Sequence, residues 1–406
     1  MSTSSTYSAY QGEIFVNAGY KNVLLTVTTD PAKLEEQAKE HMSSRSYRFV
    51  AGAAGERATL EANRLAFRQW RLIPRYMRDV SVRDLSVDLF GVRYPTPVLF
   101  APIGVQKVYH PDGEVGMASL ARELNVPYIM STAATTSIEE VAAANGDGHR
   151  WFQLYWPRTD AITISLLQRA KKNGFTALMV TLDTVSLGWR PWDLDVGFSP
   201  FLKGVGSQVG LSDPVFKEEF KRKNGGRTVE QDLDAAAHEW SADALSGKAH
   251  IWEDLELLKK HWDGPIILKG VQHVEDAKLA VAAGVDGIVV SNHGGRQIDG
   301  AIGALEVLPE IAEAVGDKLT ILYDSGVRIG ADIVKALSLG AKAVLLGRPW
   351  IYGFGIAGKE GAREVVKGIL ADLDLTMCVG GIKSLAECSQ DNLRKVAYGG
   401  DVSSLN

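Results

Sequence analysis

Asn173-Gly-Phe-Thr-Ala-Leu-Met-Val-Thr181 returns in plan as Ala283-Gly-Val-Asp-Gly-Ile-Val-Val-Ser291, and again as Leu339-Gly-Ala-Lys-Ala-Val-Leu-Leu-Gly347. Each copy reads as a glycine that ends a helix, a tight turn, and a short apolar run closing on a small residue. A helix-turn-strand unit used repeatedly is what a (β/α)8 barrel is made of.

Working outward, eight short apolar runs share that character: Pro97–Gly104, Tyr128–Thr132, Trp151–Tyr155, Ala177–Asp183, Pro265–Gly270, Gly287–His293, Thr320–Gly326 and Ala343–Arg348. Their near-continuous apolarity predicts strands covered on both faces. Helical stripes lie between them, such as Met117, Leu120, Ala121 and Leu124. A doubly wound open sheet is the alternative. The count of eight, and the lack of an early G-x-G-x-x-G turn, favour an α/β fold of the TIM-barrel type. The expected organisation is an N-terminal arm and helices over 1–96, a barrel over 97–375, and a C-terminal extension over 376–406. Residues 1–30 are polar and show no helical period, so they predict an arm packed on something larger. Asp30-Pro31 reads as a helix start. About 80 residues separate Asp183 from Pro265, far beyond a usual βα loop. The stretch 190–250, with Pro200, Pro214, Gly204, Gly206 and Gly210, predicts a long, lid-like loop insertion over the barrel mouth.

Composition narrows the partners. With 44 Lys+Arg against 49 Asp+Glu, the net charge of −5 gives no reason to expect nucleic acid. No apolar stretch reaches the ~20 residues that cross a bilayer. Met1–Tyr7 lacks the basic and then apolar start of a signal peptide, and Ser403–Asn406 does not match the peroxisomal tripeptide. The two cysteines, Cys378 and Cys388, exclude a disulfide scaffold and suit a reducing compartment. A cytoplasmic protein is expected. The eight histidines show no paired ligand spacing, so no metal is expected.

In such barrels chemistry sits where the strands end. Here every run ends in polar residues or glycine. Strand ends seven and eight, Asp324-Ser-Gly-Val-Arg328 and Gly347-Arg348, match the recurrent barrel phosphate site. Gly326 and Gly347 allow close backbone approach, while Arg328 and Arg348 offer planar donor forks. The alternative is that both arginines cap helices or pair with surface carboxylates. His293 stands beside Arg296 in Ser291-Asn-His-Gly-Gly-Arg296, and Asp183 could orient it as a base. Lys269 closes a buried strand and needs a partner there; a Schiff-base lysine is its rival role. Arg190, in Trp189-Arg-Pro-Trp192, suits an anion clamp or an aromatic packing loop.

These motifs, with Ala101-Pro-Ile-Gly104, Phe152-Gln-Leu-Tyr155 and Thr181-Leu-Asp183, make residues 45–375 resemble the FMN-dependent α-hydroxy-acid oxidase and dehydrogenase family. Within it, Asp183–Asp195, the long insertion, Trp252-Glu-Asp254 and Asp324-Ser325 look most like the lactate 2-monooxygenase branch. The resemblance implies bound FMN, a small L-2-hydroxy acid and O2 as substrates, and a homo-oligomer, tetramer or octamer. Pro102, Ile103, Gly104, Ser131, Gln153 and Thr181 would contact the isoalloxazine and its linker. Lys269 would face the flavin N1/O2 edge, and Ser291 the flavin or its ribityl chain. Asp324, Ser325, Gly326, Arg328, Gly347 and Arg348 would hold ribityl and phosphate. Arg190 and Arg296 would clamp the substrate carboxylate, Tyr155 would bond its oxygen, and His293, oriented by Asp183, would take the proton.

Two positions depart from the family pattern. Phe49 stands where a substrate-binding Tyr is usual, which points away from lactate towards a more apolar acid. Gly104 replaces the Ala usual in oxidases and predicts a methyl-sized space beside the flavin. With the insertion as a lid, that space favours oxidative decarboxylation over release of 2-keto acid and H2O2, or over a dehydrogenase using another acceptor. With no haem-binding domain ahead of the barrel, a cytochrome-linked lactate dehydrogenase is disfavoured. A flavin-barrel isomerase of a phosphorylated substrate, and an inactive flavin-binding protein, are the competing classes.

Overall fold

Eight parallel strands close into a barrel in chain order. They are β1 (Val98–Phe100), β2 (Tyr128–Ser131), β3 (Arg150–Leu154), β4 (Leu178–Thr181), β5 (Ile266–Val271), β6 (Gly287–Val290), β7 (Thr320–Tyr323) and β8 (Ala343–Leu346). β8 pairs with β1 to complete the ring, Val344 opposite Val98. The structure, a computed structural model, describes residues 7–397; Met1–Thr6 and the Ser403–Asn406 tail read above lie outside them. The repeat glycines Gly174, Gly284 and Gly340 all have positive φ (+71°, +67°, +111°), as helix-ending turns require.

The strands are apolar throughout because both faces are covered. Alternate residues, including Leu99, Ile129, Trp151, Met179, Ile267, Val289, Leu322 and Leu345, fill the barrel interior. Their neighbours pack outward against the helices in a larger core. A hairpin, Val87–Leu89 with Val92–Tyr94, joins the interior cluster, and Phe90 meets Trp151 edge-on at 5.7 Å. It plugs one end of the barrel, so the strands' C-terminal ends are left for a site.

Three segments differ from expectation. The N-terminal arm contains a helix, Ala9–Lys21. It escaped notice because only Tyr10 is buried on it, while Phe15 and Tyr20 are 68% and 88% exposed, so no apolar stripe marks one face. The arm does pack on the body: Lys367 lies over the Tyr10 ring at 4.1 Å, and Asp374 accepts the Ser8 amide. After Asp30-Pro31 a turn comes first and the helix opens at Leu34, since the Asp30 carbonyl accepts both Lys33 and Leu34 amides.

The long connection after β4 is present but largely helical. Pro200 and Pro214 open helical turns rather than break them, and Asp213 caps Pro214–Lys223 by accepting the Val215 and Phe216 amides. The charged run Lys221-Arg222-Lys223 is that helix's last turn, where cations suit the dipole. Phe216, Phe220, Val209 and Trp240 of the insertion are buried and join the larger core. Asp213 also pairs with Arg169 and Ser165, fastening it to the barrel helix Asp160–Lys172. At the other end, the helical run Arg348–Gly380, kinked at Ala357–Gly358, crosses the expected boundary at residue 375, and Leu393–Lys395 pairs with Trp70–Leu72. Among the described residues, no helix is long and apolar enough to cross a membrane.

Candidate active site

At the C-terminal ends of the β strands a layer of buried polar side chains bridges strand to strand. Gln153 on β3 accepts from Ser131 on β2 (3.0 Å) and donates to Thr181 on β4 (2.9 Å). Thr181 is in register with Lys269 on β5, which donates to Ser291 after β6 (3.1 Å) and lies 3.2 Å from Asp324 after β7. Burial works against the Lys269 charge, but Asp324 and Asp183 outweigh it and hold its pKa above the ordinary value. Lys269 is therefore a fixed cation, unsuited to the Schiff-base role, which needs a neutral amine.

Above this layer His293 Nδ1 lies 2.7 Å from Asp183 Oδ1. A carboxylate oxygen accepts, so Nδ1 carries the proton and Nε2 keeps the lone pair. Burial raises the Asp183 carboxyl, but His293 and Lys269 overcome it and hold the group well below the usual carboxylate range. Burial lowers the His293 pKa, and Asp183 only partly restores it. Thr184, absent from the sequence reading, donates to Asp183 Oδ1 at 2.7 Å. Asp183 can lie close to β5 because Gly270, at φ +104°, has no Cβ; one would come 2.8 Å from the carboxylate.

His293 shares one cavity with Lys269, Tyr155 and four guanidiniums, those of Arg190, Arg296, Arg328 and Arg348. The bonds these guanidiniums make go to oxygens that carry no charge. Arg348 donates to the carbonyls of Val50, Gly52 and Gly294, and Arg328 to that of Val327. Arg296 donates to Gly52, and Arg190 to the Arg296 carbonyl and Gln297 Oε1. Burial pulls the Arg348 pKa down to about 10; burial and nearby Arg296 pull Arg190 down to about 9. Both remain cationic at neutral pH. One buried and three half-buried positive groups held by neutral acceptors are a site built to receive anions. Arg328 and Arg348 flank Gly326 and Gly347, Arg190 and Arg296 are joined by the Arg190–Arg296 carbonyl bond, and Arg296 and Arg348 meet on the Gly52 carbonyl.

Most expected site residues line this cavity, including Pro102, Ile103, Gly104, Asp324, Ser325, Gly326 and Gly347. Ser131, Gln153, Thr181 and Ser291 belong instead to the buried layer, and Asp183 stands behind His293. The space expected at Gly104 is not there. A Cβ would fall 2.6 Å from the Ala133 carbonyl oxygen, so this glycine permits the β1 and β2 loops to touch. Phe49 meets Phe198 of the insertion edge-on at 5.8 Å, and Arg296 lies over its ring. Sequence reasoning missed Tyr109, Val50, Phe201 and Leu245 on the cavity wall, which carry no motif and arrive from separate loops.

Residues 38–395 match the sequence profile of the FMN-dependent dehydrogenases. The chain belongs to that family. It is 53% identical over 399 residues, 98% of each chain, to the FMN-dependent alpha-hydroxy acid dehydrogenase qulF of Penicillium citrinum. It is 42% identical to an L-lactate oxidase of Lysinibacillus sphaericus, covering 87% of this chain and 89% of that one. The crystal structure of mandelate oxidase superimposes with a TM-score of 0.77 at 35% identity, covering 91% of this chain and 98% of that one. FMN is the cofactor of this FMN-dependent dehydrogenase family member, and the site suits it. The guanidiniums of Arg328 and Arg348, bonded to uncharged carbonyls, would hold its phosphate. A Cβ on Gly347 would touch nothing nearer than 4.0 Å, so that backbone borders open space. The reaction class is oxidation of an α-hydroxy acid.

Proposed function

We propose that the chain oxidises small L-2-hydroxy acids with apolar side chains, with O2 as electron acceptor, and retains the keto acid long enough for the H2O2 formed from O2 to convert it to CO2, water and an acid one carbon shorter, as a lactate 2-monooxygenase does. The observation that carries the reading is the His293–Asp183 pair opening on the same cavity as Arg190 and Arg296. A 2-hydroxy acid needs those two things, a base and a carboxylate fork. When bound, FMN supplies the two-electron acceptor. Arg190 and Arg296 orient the carboxylate. Tyr155, whose proton burial and Asp183 hold in place, donates to the substrate oxygen. His293 Nε2 takes the proton, and Asp183 stabilises the imidazolium that results. Lys269 and Asp324 keep a fixed cation at the barrel floor, and Arg328 and Arg348 hold the phosphate.

Phe49, packed on Phe198 and beneath Arg296, puts an apolar ring at the carboxylate end and supports an apolar acid over lactate, while Tyr109 brings a hydroxyl to the same wall. Phe201 and Leu245 bring the insertion over the mouth and support retention of product. A second reading, transfer to an acceptor other than oxygen, is favoured by similarity to relatives named dehydrogenases. The compartment is proposed to be the cytoplasm, and the exposed Phe15, Val16, Tyr20, Val23 and Leu24 fit a homo-oligomer. The test is turnover in air on L-lactate, L-2-hydroxyisocaproate and (S)-mandelate with product analysis. The expected result is higher kcat/KM for the two larger acids, with CO2 and an acid one carbon shorter. Stoichiometric H2O2 without CO2 makes the protein an oxidase; no oxygen consumption, with artificial dyes still reduced, makes it a dehydrogenase.

A further inference from the structure

Two residues that are not glycine face each other with left-handed backbones: His293 at φ +57° and Ser325 at φ +86°. Such conformations persist only where their surroundings hold them. The surroundings are explicit. Ser325 Oγ accepts the amides on either side of the histidine, Asn292 N at 3.2 Å and Gly294 N at 3.0 Å, and donates to Asp324 Oδ1 at 2.8 Å. Ser291 Oγ accepts the amide of His293 itself at 3.0 Å and the Lys269 ammonium at 3.1 Å, and also donates to Asp324 Oδ1. A hydroxyl has one donor and two acceptor sites. Both serines make all three within the protein; the resemblance had implied contacts to the ribityl chain or phosphate for them.

We propose that Ser325 is a positioning residue for His293: with Ser291 it anchors three successive amides to one carboxylate, Asp324, and so fixes the left-handed turn that aims the imidazole at Asp183 and the cavity. The inference rests on the reading of His293 as the base. It also explains why serine occupies a position whose φ favours glycine: the hydroxyl is worth more here than backbone ease.

The test is Ser325→Gly in the FMN-loaded protein, since glycine accepts φ +86° without strain and removes the hydroxymethyl group. Amide hydrogen exchange over residues 291–296 is measured beside anaerobic flavin reduction by (S)-mandelate and L-2-hydroxyisocaproate, with His293→Ala as control. The expected result is exchange at least tenfold faster in that segment alone, reduction at least tenfold slower, and full FMN content. Reduction at the parental rate, with His293→Ala slow, overturns the proposal. Loss of FMN in step with activity also overturns it, because the hydroxyl then serves the cofactor. If His293→Ala itself reduces at the parental rate, the base reading fails and the exchange rates alone decide whether Ser325 holds the turn. Should the glycine variant not fold, Ser325→Ala is read the same way.

Discussion

His293 accepts a proton only while its ring is neutral. Burial lowers its pKa from the ordinary 6.5, so the neutral form persists into mild acid. The acid limb of kcat/KM should therefore fall below pH 6.5, and a limb above it would show that the ring is not held as described. At Arg296, lysine keeps the charge but loses the fork that binds a carboxylate while also reaching the Gly52 carbonyl. Arg296→Lys should weaken kcat/KM by roughly ten- to hundredfold, the scale of ~1.5–3 kcal/mol for a hydrogen bond to a charged group. Steady-state kinetics check it. His293, Asp183, Lys269 and the four arginines were legible in the sequence because strand ends are where barrels place chemistry. The partners of Ser291, Ser325 and Thr184 were not, since they depend on a left-handed turn that no residue type announces. Gly104 was misread for a related reason: a sequence shows that a side chain is missing but not the direction in which it would have pointed.

The elements tell a similar story. All eight strands were legible, because burial on both faces leaves a continuous apolar run. The insertion was read as a loop because Pro and Gly usually mark one, yet its prolines sit at helix starts. Gly210 shows how closely it packs: a Cβ there would overlap the Trp240 ring, 2.1 Å from the nearest atom. Gly210→Ala should cost ~1–3 kcal/mol through overpacking. Thermal unfolding measures that loss, and limited proteolysis should locate it between residues 200 and 245. The N-terminal helix escaped detection because a helix with one buried residue carries no period.

For the whole molecule, the plugged barrel leaves one open end, and the buried charge there is mostly positive. Without an anion the guanidiniums repel one another; with one they are satisfied. Removing FMN should therefore lower Tm, and adding it back at a hundredfold over Kd should restore ~2.7 kcal/mol. Riboflavin, which lacks the phosphate, should restore much less; equal stabilisation by riboflavin would deny Arg328 and Arg348 their role. The central claim is that His293, held by Asp183, takes a proton from an L-2-hydroxy acid clamped beside it. Anaerobic mixing of the FMN-loaded protein with L-2-hydroxy acids tests it most directly. The parent should lose its yellow colour with the L but not the D enantiomer, and His293→Ala should keep its flavin yet bleach roughly a hundredfold or more slowly. Bleaching of His293→Ala at the parental rate, or no bleaching of the parent by any 2-hydroxy acid, would contradict the account.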